Sequence, residues 1–362
     1  MAVCRSNRSR GQTRPKSALY DFPFAYCTIG GPIGARFEMR WRAFLLWLHE
    51  HRDRSPYTVP MTDTAPTLEI YLGDNLPIMQ QLSAASFDLI YIDPPFNTGK
   101  TQARTQIKTI RDDDGDRLGF KGQRYRTVRV GMKAFADNFD DFLAFLEPRL
   151  EEAYRLLKPD GSFFLHLDYR EIHYAKVLLD GIFGRDSFVN EIIWAYDYGA
   201  RSKKKWSAKH DNILWYAKDP KHYTYRYDDI DRIPYMAPGL VGPEKAAKGK
   251  TPTDTWWNTI VSPNGKEKTG YPTQKPLAII DRIIQVHTNP GDRVLDSFAG
   301  SGTLGESAVR HGRSAVLVDR NEVAMQVMAK RLAFAQPKFH GWEPSPVDLP
   351  EPTLLDAIGS PA

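Results

Sequence analysis

The sequence predicts an α/β fold built on an open, mostly parallel sheet. Three observations carry this. Short apolar runs of four to six residues end at acidic or Gly-Asp positions, as at 68–72 and 87–92. Segments with apolar residues at helical spacing alternate with them, which is the pattern of βαβ units. The chain has 362 residues, 41% of them hydrophobic, enough for one large α/β domain with a smaller attached module.

Taken in order, 68–72 reads as a strand ending at Gly73-Asp74, and 87–92 as a buried strand ending at Asp93. Phe142, Leu146, Leu150, Tyr154 and Leu157 recur at helical spacing. Pro159-Asp160-Gly161 predicts a turn, followed by a strand over 162–167 and a helix over 171–179. The runs 191–196 and 212–217 predict an antiparallel pair at the sheet edge. A helix over 276–286 carries proline in its first turn. Strands at 293–295 and 315–318, separated by a helix, complete the sheet.

The ends differ from this body. Residues 1–60 hold ten Lys/Arg and four Asp/Glu, a balance of +6, so the remaining 302 residues sum to 5 − 6 = −1. They are expected to form a basic, disordered N-terminal extension dispensable for catalysis. The catalytic domain is expected over 61–335, with a loosely packed, Pro-rich tail over 336–362. Both cysteines, Cys4 and Cys27, lie in the extension, so the body can hold neither a cysteine zinc site nor a cysteine nucleophile. No apolar run approaches the ~20 residues needed to span a bilayer. His166, His210 and Glu191 lack metal-ligand spacing; structural roles and no metal are expected.

Two basic stretches interrupt the rhythm. Residues 100–134 carry ten basic and four acidic side chains with little periodicity. Residues 198–250 carry twelve basic and six acidic side chains, interleaved with Trp206, Tyr223, Tyr225, Tyr227 and Tyr235. Cationic side chains suit phosphates, and aromatics suit stacking on displaced bases. Lys203, Lys204, Lys205 and Trp206 are the candidate DNA contacts, and 198–270 the candidate target-recognition region.

Two turns carry chemistry. Asp296-Ser297-Phe298-Ala299-Gly300-Ser301-Gly302-Thr303 follows a strand and opens a helix, and Asp319 ends the next strand. Glycines admit close backbone approach, and an acid at that place typically binds ribose hydroxyls; the pair points to an adenosine-type cofactor. Asp93-Pro94-Pro95-Phe96 follows a buried strand. There the prolines fix φ, and the turn offers a carboxylate, a rigid carbonyl and an aromatic face. An exocyclic amine has two N–H groups, which Asp93 and the Pro94 carbonyl can accept while Phe96 stacks on the ring.

With these turns in this order, the chain resembles the β-class amino (N6-adenine/N4-cytosine) DNA methyltransferases. That family sets Asp-Pro-Pro-aromatic first, then target recognition, then the Phe-x-Gly-x-Gly loop. The resemblance covers about 67–335 and includes Thr273-Gln274-Lys275-Pro276 and Gly73-Asp74-Asn75. It implies a Rossmann-like methyltransferase fold with permuted motif order and S-adenosylmethionine as cofactor. It further implies a cofactor site comprising Asp74, Asn75, Thr273, Lys275, Asp296, Phe298, Gly300, Gly302, Thr303 and Asp319. The sequence departs from the family in two places: Ser297 replaces a proline, and Tyr271 replaces a histidine. The expected reaction is methyl transfer to N6 of a flipped-out adenine in duplex DNA. N4 of cytosine, RNA or a protein amide are the alternatives. The resemblance admits a cognate restriction endonuclease and a homodimer as partners, and implies a cytoplasmic, nucleoid-associated protein.

Overall fold

The computed structural model describes residues 65–96, 100–111, 117–118, 124–137, 141–199, 201–262 and 264–345. The expected N-terminal extension at 1–60, and the tail beyond 345, lie outside them.

The elements follow in chain order: β1 (Leu68–Leu72), α1 (Asn75–Gln81), β2 (Phe87–Ile92), β3 (Lys100–Arg111), β4 (Arg117–Leu118) and β5 (Arg124–Asp137). Next come α2 (Phe142–Leu156), β6 (Leu157–Leu167), α3 (Ile172–Phe183), β7 (Phe188–Ala195), β8 (His210–Ala217), α4 (Pro243–Lys248) and β9 (Thr255–Trp257). The chain then forms α5 (Leu277–His287), β10 (Arg293–Asp296), α6 (Thr303–Arg310), β11 (Ser314–Asp319), α7 (Glu322–Arg331) and β12 (Lys338–His340). Nine strands make the main sheet in the order β12-β1-β11-β10-β2-β6-β8-β7-β9.

The central strands are near-continuous apolar runs because both their faces are covered. Side chains alternate between two cores. Leu89 and Tyr91 of β2, Phe164 of β6 and Leu317 of β11 face one core, packed by α5 and α7 through Ile280, Ile283, Ile284, Met325 and Met328. Ile90, Ile92, Phe163 and Val316 face the other, packed by α2 and α3 through Leu146, Leu150, Ala175 and Leu179. Each fully buried aliphatic side chain contributes roughly 1.5–3 kcal/mol, so the three-layer stack follows from the period-two pattern of the strands. Side chains cap the helices that begin at the sheet's edge: Asp74 accepts from Leu76 N at 3.1 Å, Asp141 from Ala144 N at 2.9 Å, and Asn321 from Val323 N at 2.9 Å.

Four features differ from the expectations. The reversed strand is β8, which lies inside the sheet rather than at its edge, because β6 pairs with one side of it and β7 with the other; β9 then adds in parallel to the far side of β7. Pro159-Asp160-Gly161 lies within β6 as an irregularity: Phe87 pairs with Leu157, but Leu89 pairs with Ser162. Residues 100–111 and 124–137 are not irregular. β3 and β5 pair antiparallel from Lys100↔Asp137 to Arg111↔Tyr125, and β4 joins β5. The sheet also continues past 335, since β12 pairs with β1, and Tyr71 stacks on His340 at 4.1 Å.

The topology has a switch point. From β10 the chain proceeds outward to β11, and from β2 outward to β6 on the other side. The seam between β10 and β2 is short, with Val294↔Leu89 and Leu295↔Ile90 in register. Open α/β sheets bind ligands at the carboxyl ends of strands flanking such a seam.

Candidate active site

Four parallel strands deliver acids to one edge. β10 ends at Asp296, β11 at Asp319, β2 just before Asp93, and β1 just before Gly73-Asp74. Between them opens a cavity of about 710 Å³, within the size range of small-molecule and cofactor sites. Asp74, Asn75, Asp93, Pro95, Thr273 and Lys275 line it from one side of the seam, and Asp296, Phe298, Gly300, Thr303 and Asp319 from the other. Eleven of the fourteen catalytic and cofactor candidates thus share one cavity. Pro94 is buried beside it.

The loop 297–302 is held by its own backbone. Phe298 N donates to Asp296 Oδ1 at 2.9 Å, Gly300 N to Asp319 Oδ2 at 2.8 Å, and Ala299 N to the Val318 carbonyl at 3.0 Å. Gly300 has φ +52°, and a Cβ there would stand 3.2 Å from Tyr271 Cε1, so the residue keeps the cavity wall thin. Gly302 does something else. At φ +75° it precedes α6, and a Cβ would meet Met328 Cγ at 2.8 Å; it permits α7 to pack and does not line the cavity.

Asn75 is held at both ends: its Nδ2 donates to the Ser297 carbonyl at 2.7 Å, and its Oδ1 accepts from Arg149 Nε at 2.6 Å. Arg149 Nη2 also pairs with Asp74 at 2.9 Å, and its guanidinium lies 3.9 Å from the Phe145 ring centroid. Arg149 lines the cavity but is absent from the sequence-based site. Its signal was available: it sits among Leu146, Leu150 and Ala153 on the apolar face of α2, where a lone arginine needs a partner. Tyr91 and Tyr271 also line the cavity unanticipated as site residues. Thr273 has φ +57°, a strained conformation for a β-branched residue, and such strain concentrates at functional sites.

Lys275 Nζ pairs with Asp93 Oδ2 and stands 4.7 Å from the Phe96 ring centroid. The other Asp93 oxygen, Oδ1, is buried without a hydrogen-bond partner among the described residues. Burial pushes Asp296 well above the ordinary carboxylate range, reinforced by Asp93 and Asp319. Burial likewise lifts Asp319 to about 6, against the backbone N–H groups of Asn321 and Gly300. So many carboxylates around one cavity suit a cationic ligand.

Behind the turn lies a buried polar chain. Tyr91 Oη meets His166 Nδ1 at 2.7 Å, His166 Nε2 meets Asp211 Oδ2 at 3.3 Å, and Tyr196 Oη donates to Asp211 Oδ1 at 3.0 Å. The His166 ring lies 6.0 Å from Phe96. Burial opposes ionisation of Asp211, yet its bond with His166 holds it below its usual range. Glu191 accepts from Asn212 at 2.6 Å. The candidate DNA contacts Lys203, Lys204, Lys205 and Trp206 are exposed and lie outside the cavity lining. Tyr225, expected as a stacking aromatic, instead stacks on Trp215 at 5.8 Å.

The chain is similar to known proteins. A family model described as DNA methylase, of the N6/N4 type, matches residues 87–331. The Type II methyltransferase M.HpaI of Haemophilus parainfluenzae is 31% identical over 76% of this chain and 79% of its own length. The DNA adenine methyltransferase YhdJ of Escherichia coli strain K12 is 29% identical over 73% of this chain and 82% of its own. Among solved structures, the cytosine-N4-specific PvuII DNA methyltransferase shares the fold at a TM-score of 0.50 and 17% identity, over 73% of this chain and 86% of that one.

Proposed function

The chain belongs to the N6/N4 family of S-adenosylmethionine-dependent DNA methyltransferases, and we propose that its target is N6 of adenine, extruded from duplex DNA. The observation that carries the reading is Asp93: one carboxylate oxygen is held by Lys275 and the other is buried, unpaired and at the cavity. A buried acceptor without a donor is costly, and an amine N–H satisfies it. The Pro94 carbonyl accepts the second N–H, and Phe96 offers its face to the base. The similarity to an adenine methyltransferase supports adenine over cytosine.

When bound, S-adenosylmethionine supplies an electrophilic methyl group. The residues present suit it: Asp319 would accept from ribose hydroxyls, Asp296 would face the positive charge, and Gly300 would allow close approach. Asp93 and the Pro94 carbonyl draw the amine toward tetrahedral geometry and stabilise positive charge developing on nitrogen. Lys275 pairs with one oxygen of Asp93 and fixes the direction of the other. Arg149, through Asp74 and Asn75, holds the cofactor loop against the end of β1. Residues 198–270 choose the DNA sequence, with Lys203, Lys204 and Lys205 on phosphates.

Expression in a methylation-free host, followed by modified-base sequencing, tests this. N6-methyladenine in one recurrent motif is the expected result. N4-methylcytosine alone would replace the adenine reading, and unmodified DNA from a folded, cofactor-binding protein would overturn it.

A further inference from the structure

We propose that Trp206 is the wedge that enters the duplex and fills the gap left by the extruded base. The inference rests on the reading of this site as a methylator of bases in duplex DNA. The argument begins with strand direction. β8 is antiparallel to both β6 and β7, so β7 runs the same way as β6 and β2. The segment that follows Ala195 therefore leaves the sheet at the edge where Asp93 and Phe96 follow β2. Its root is tied to that turn: Tyr196 bonds Asp211, Asp211 bonds His166, and His166 lies against Phe96.

The outer part of the segment is a built turn. Ser202 N donates to Ser207 Oγ at 2.7 Å, while Ser202 Oγ accepts from Lys204 N at 3.1 Å and Lys205 N at 3.3 Å. This closure projects Trp206, which is 98% exposed, the highest value among the exposed large hydrophobic side chains of the described residues. Water solvates an indole poorly, and a local hydrogen-bonded turn that holds one fully in water needs a reason. Three exposed lysines precede it, and phosphates attract them. Trp206 stands four residues before His210, so it reaches at most roughly 14 Å beyond the start of β8. Extrusion of a base costs stacking, and a planar or apolar side chain inserted between base steps restores contact on both sides. Phe96, whose face the proposed function gives to the extruded base, cannot also fill the gap left in the duplex.

The test compares the full chain with Trp206→Ala and Trp206→Phe. Single-turnover methylation is measured on a duplex with the target paired, and on the same duplex with the target mismatched. Base stacking on an aromatic side chain is worth roughly 10- to 100-fold. Trp206→Ala is expected to lose about that factor on the paired duplex, to return near the wild-type rate on the mismatched one, and to show weaker 2-aminopurine fluorescence at the target. Trp206→Phe retains most of the paired rate. Equal loss on both duplexes would make Trp206 a general DNA contact, and no loss would remove it from the reaction; either overturns the proposal. Failure of the underlying reading is separate, since the wild-type chain would then methylate neither duplex.

Discussion

Cofactor affinity should depend on pH through Asp319. Burial lifts its carboxyl to about 6 in the ligand-free site. Ribose hydroxyls and a cationic ligand both favour the carboxylate, so the bound form has a lower pKa. The complex then holds fewer protons than the free protein in this range, and binding releases them. Affinity therefore rises with pH up to about 6 and levels off above it. Near pH 5 about nine-tenths of free Asp319 is protonated, and near pH 7.5 almost none, so S-adenosylmethionine should bind about ten-fold more weakly at the lower pH. Calorimetry at pH 6, in two buffers of different ionisation enthalpy, should report about half a proton released per ligand. Asp319→Asn keeps the shape, loses the charge, and should bind weakly with a flat profile. A flat wild-type profile without proton release would refute the reasoning. A slope that survives Asp319→Asn would assign the titration to Asp296 instead.

Asp93→Asn should lower the single-turnover rate by roughly 10²–10³ while cofactor affinity stays within a few-fold, because only the acceptor of the amine is changed; near-wild-type turnover from this variant would remove the proposed mechanism. The two loop glycines should separate. Gly302→Ala places a Cβ against Met328 at a positive φ and should cost about 2–3 kcal/mol in thermal unfolding with little change in cofactor affinity. Gly300→Ala presses on Tyr271 at the cavity wall, so calorimetry should show the larger affinity loss there; the reverse pattern would contradict the assignment of their roles.

The parallel strands and the acids that end them were legible because apolar runs, Gly-Asp turns and Asp-Pro-Pro are local signals. What escaped depends on partners distant in sequence. Arg149 earns its place through Asp74 and Asn75, more than 70 residues away. At Gly302 a positive φ suits both a ligand turn and a close helix, and the second of these needs Met328, which the local sequence does not show. The internal position of β8 follows from its pairing with β6 as well as β7, a long-range choice that the local pattern does not carry; β9, with three residues, is too short to show a period. In β5 the alternation Val128, Val130, Met132, Ala134, Ala136 is plain in retrospect, but the dense charge around it, including Asp112, Asp113 and Asp114, masked a hairpin. Tyr225 shows the limit of composition: an aromatic among charges packs against Trp215 and His287 as readily as it awaits a base.

The position of β1 in the sheet has a consequence for how the molecule is made. Its neighbours are β11 and β12, with Leu68↔Ala315 and Glu69↔Lys338 in register, so both of its edges wait for about 240 residues of further chain. At ribosomal rates that is roughly 10–50 s during which Leu68-Glu69-Ile70-Tyr71-Leu72 has no native strand beside it. Contacts this distant in sequence also slow the final closure of the sheet. Glu69, the charged residue within an otherwise apolar strand, disfavours premature pairing with other chains in that interval. Once the sheet closes, Tyr71 donates to Glu69 at 2.8 Å, and His340 approaches it at 3.2 Å. Because Asp296 and Asp319 arrive with β10 and β11, a nascent chain carries Asp93 and Phe96 long before it can hold a cofactor, and catalytic competence waits for those strands.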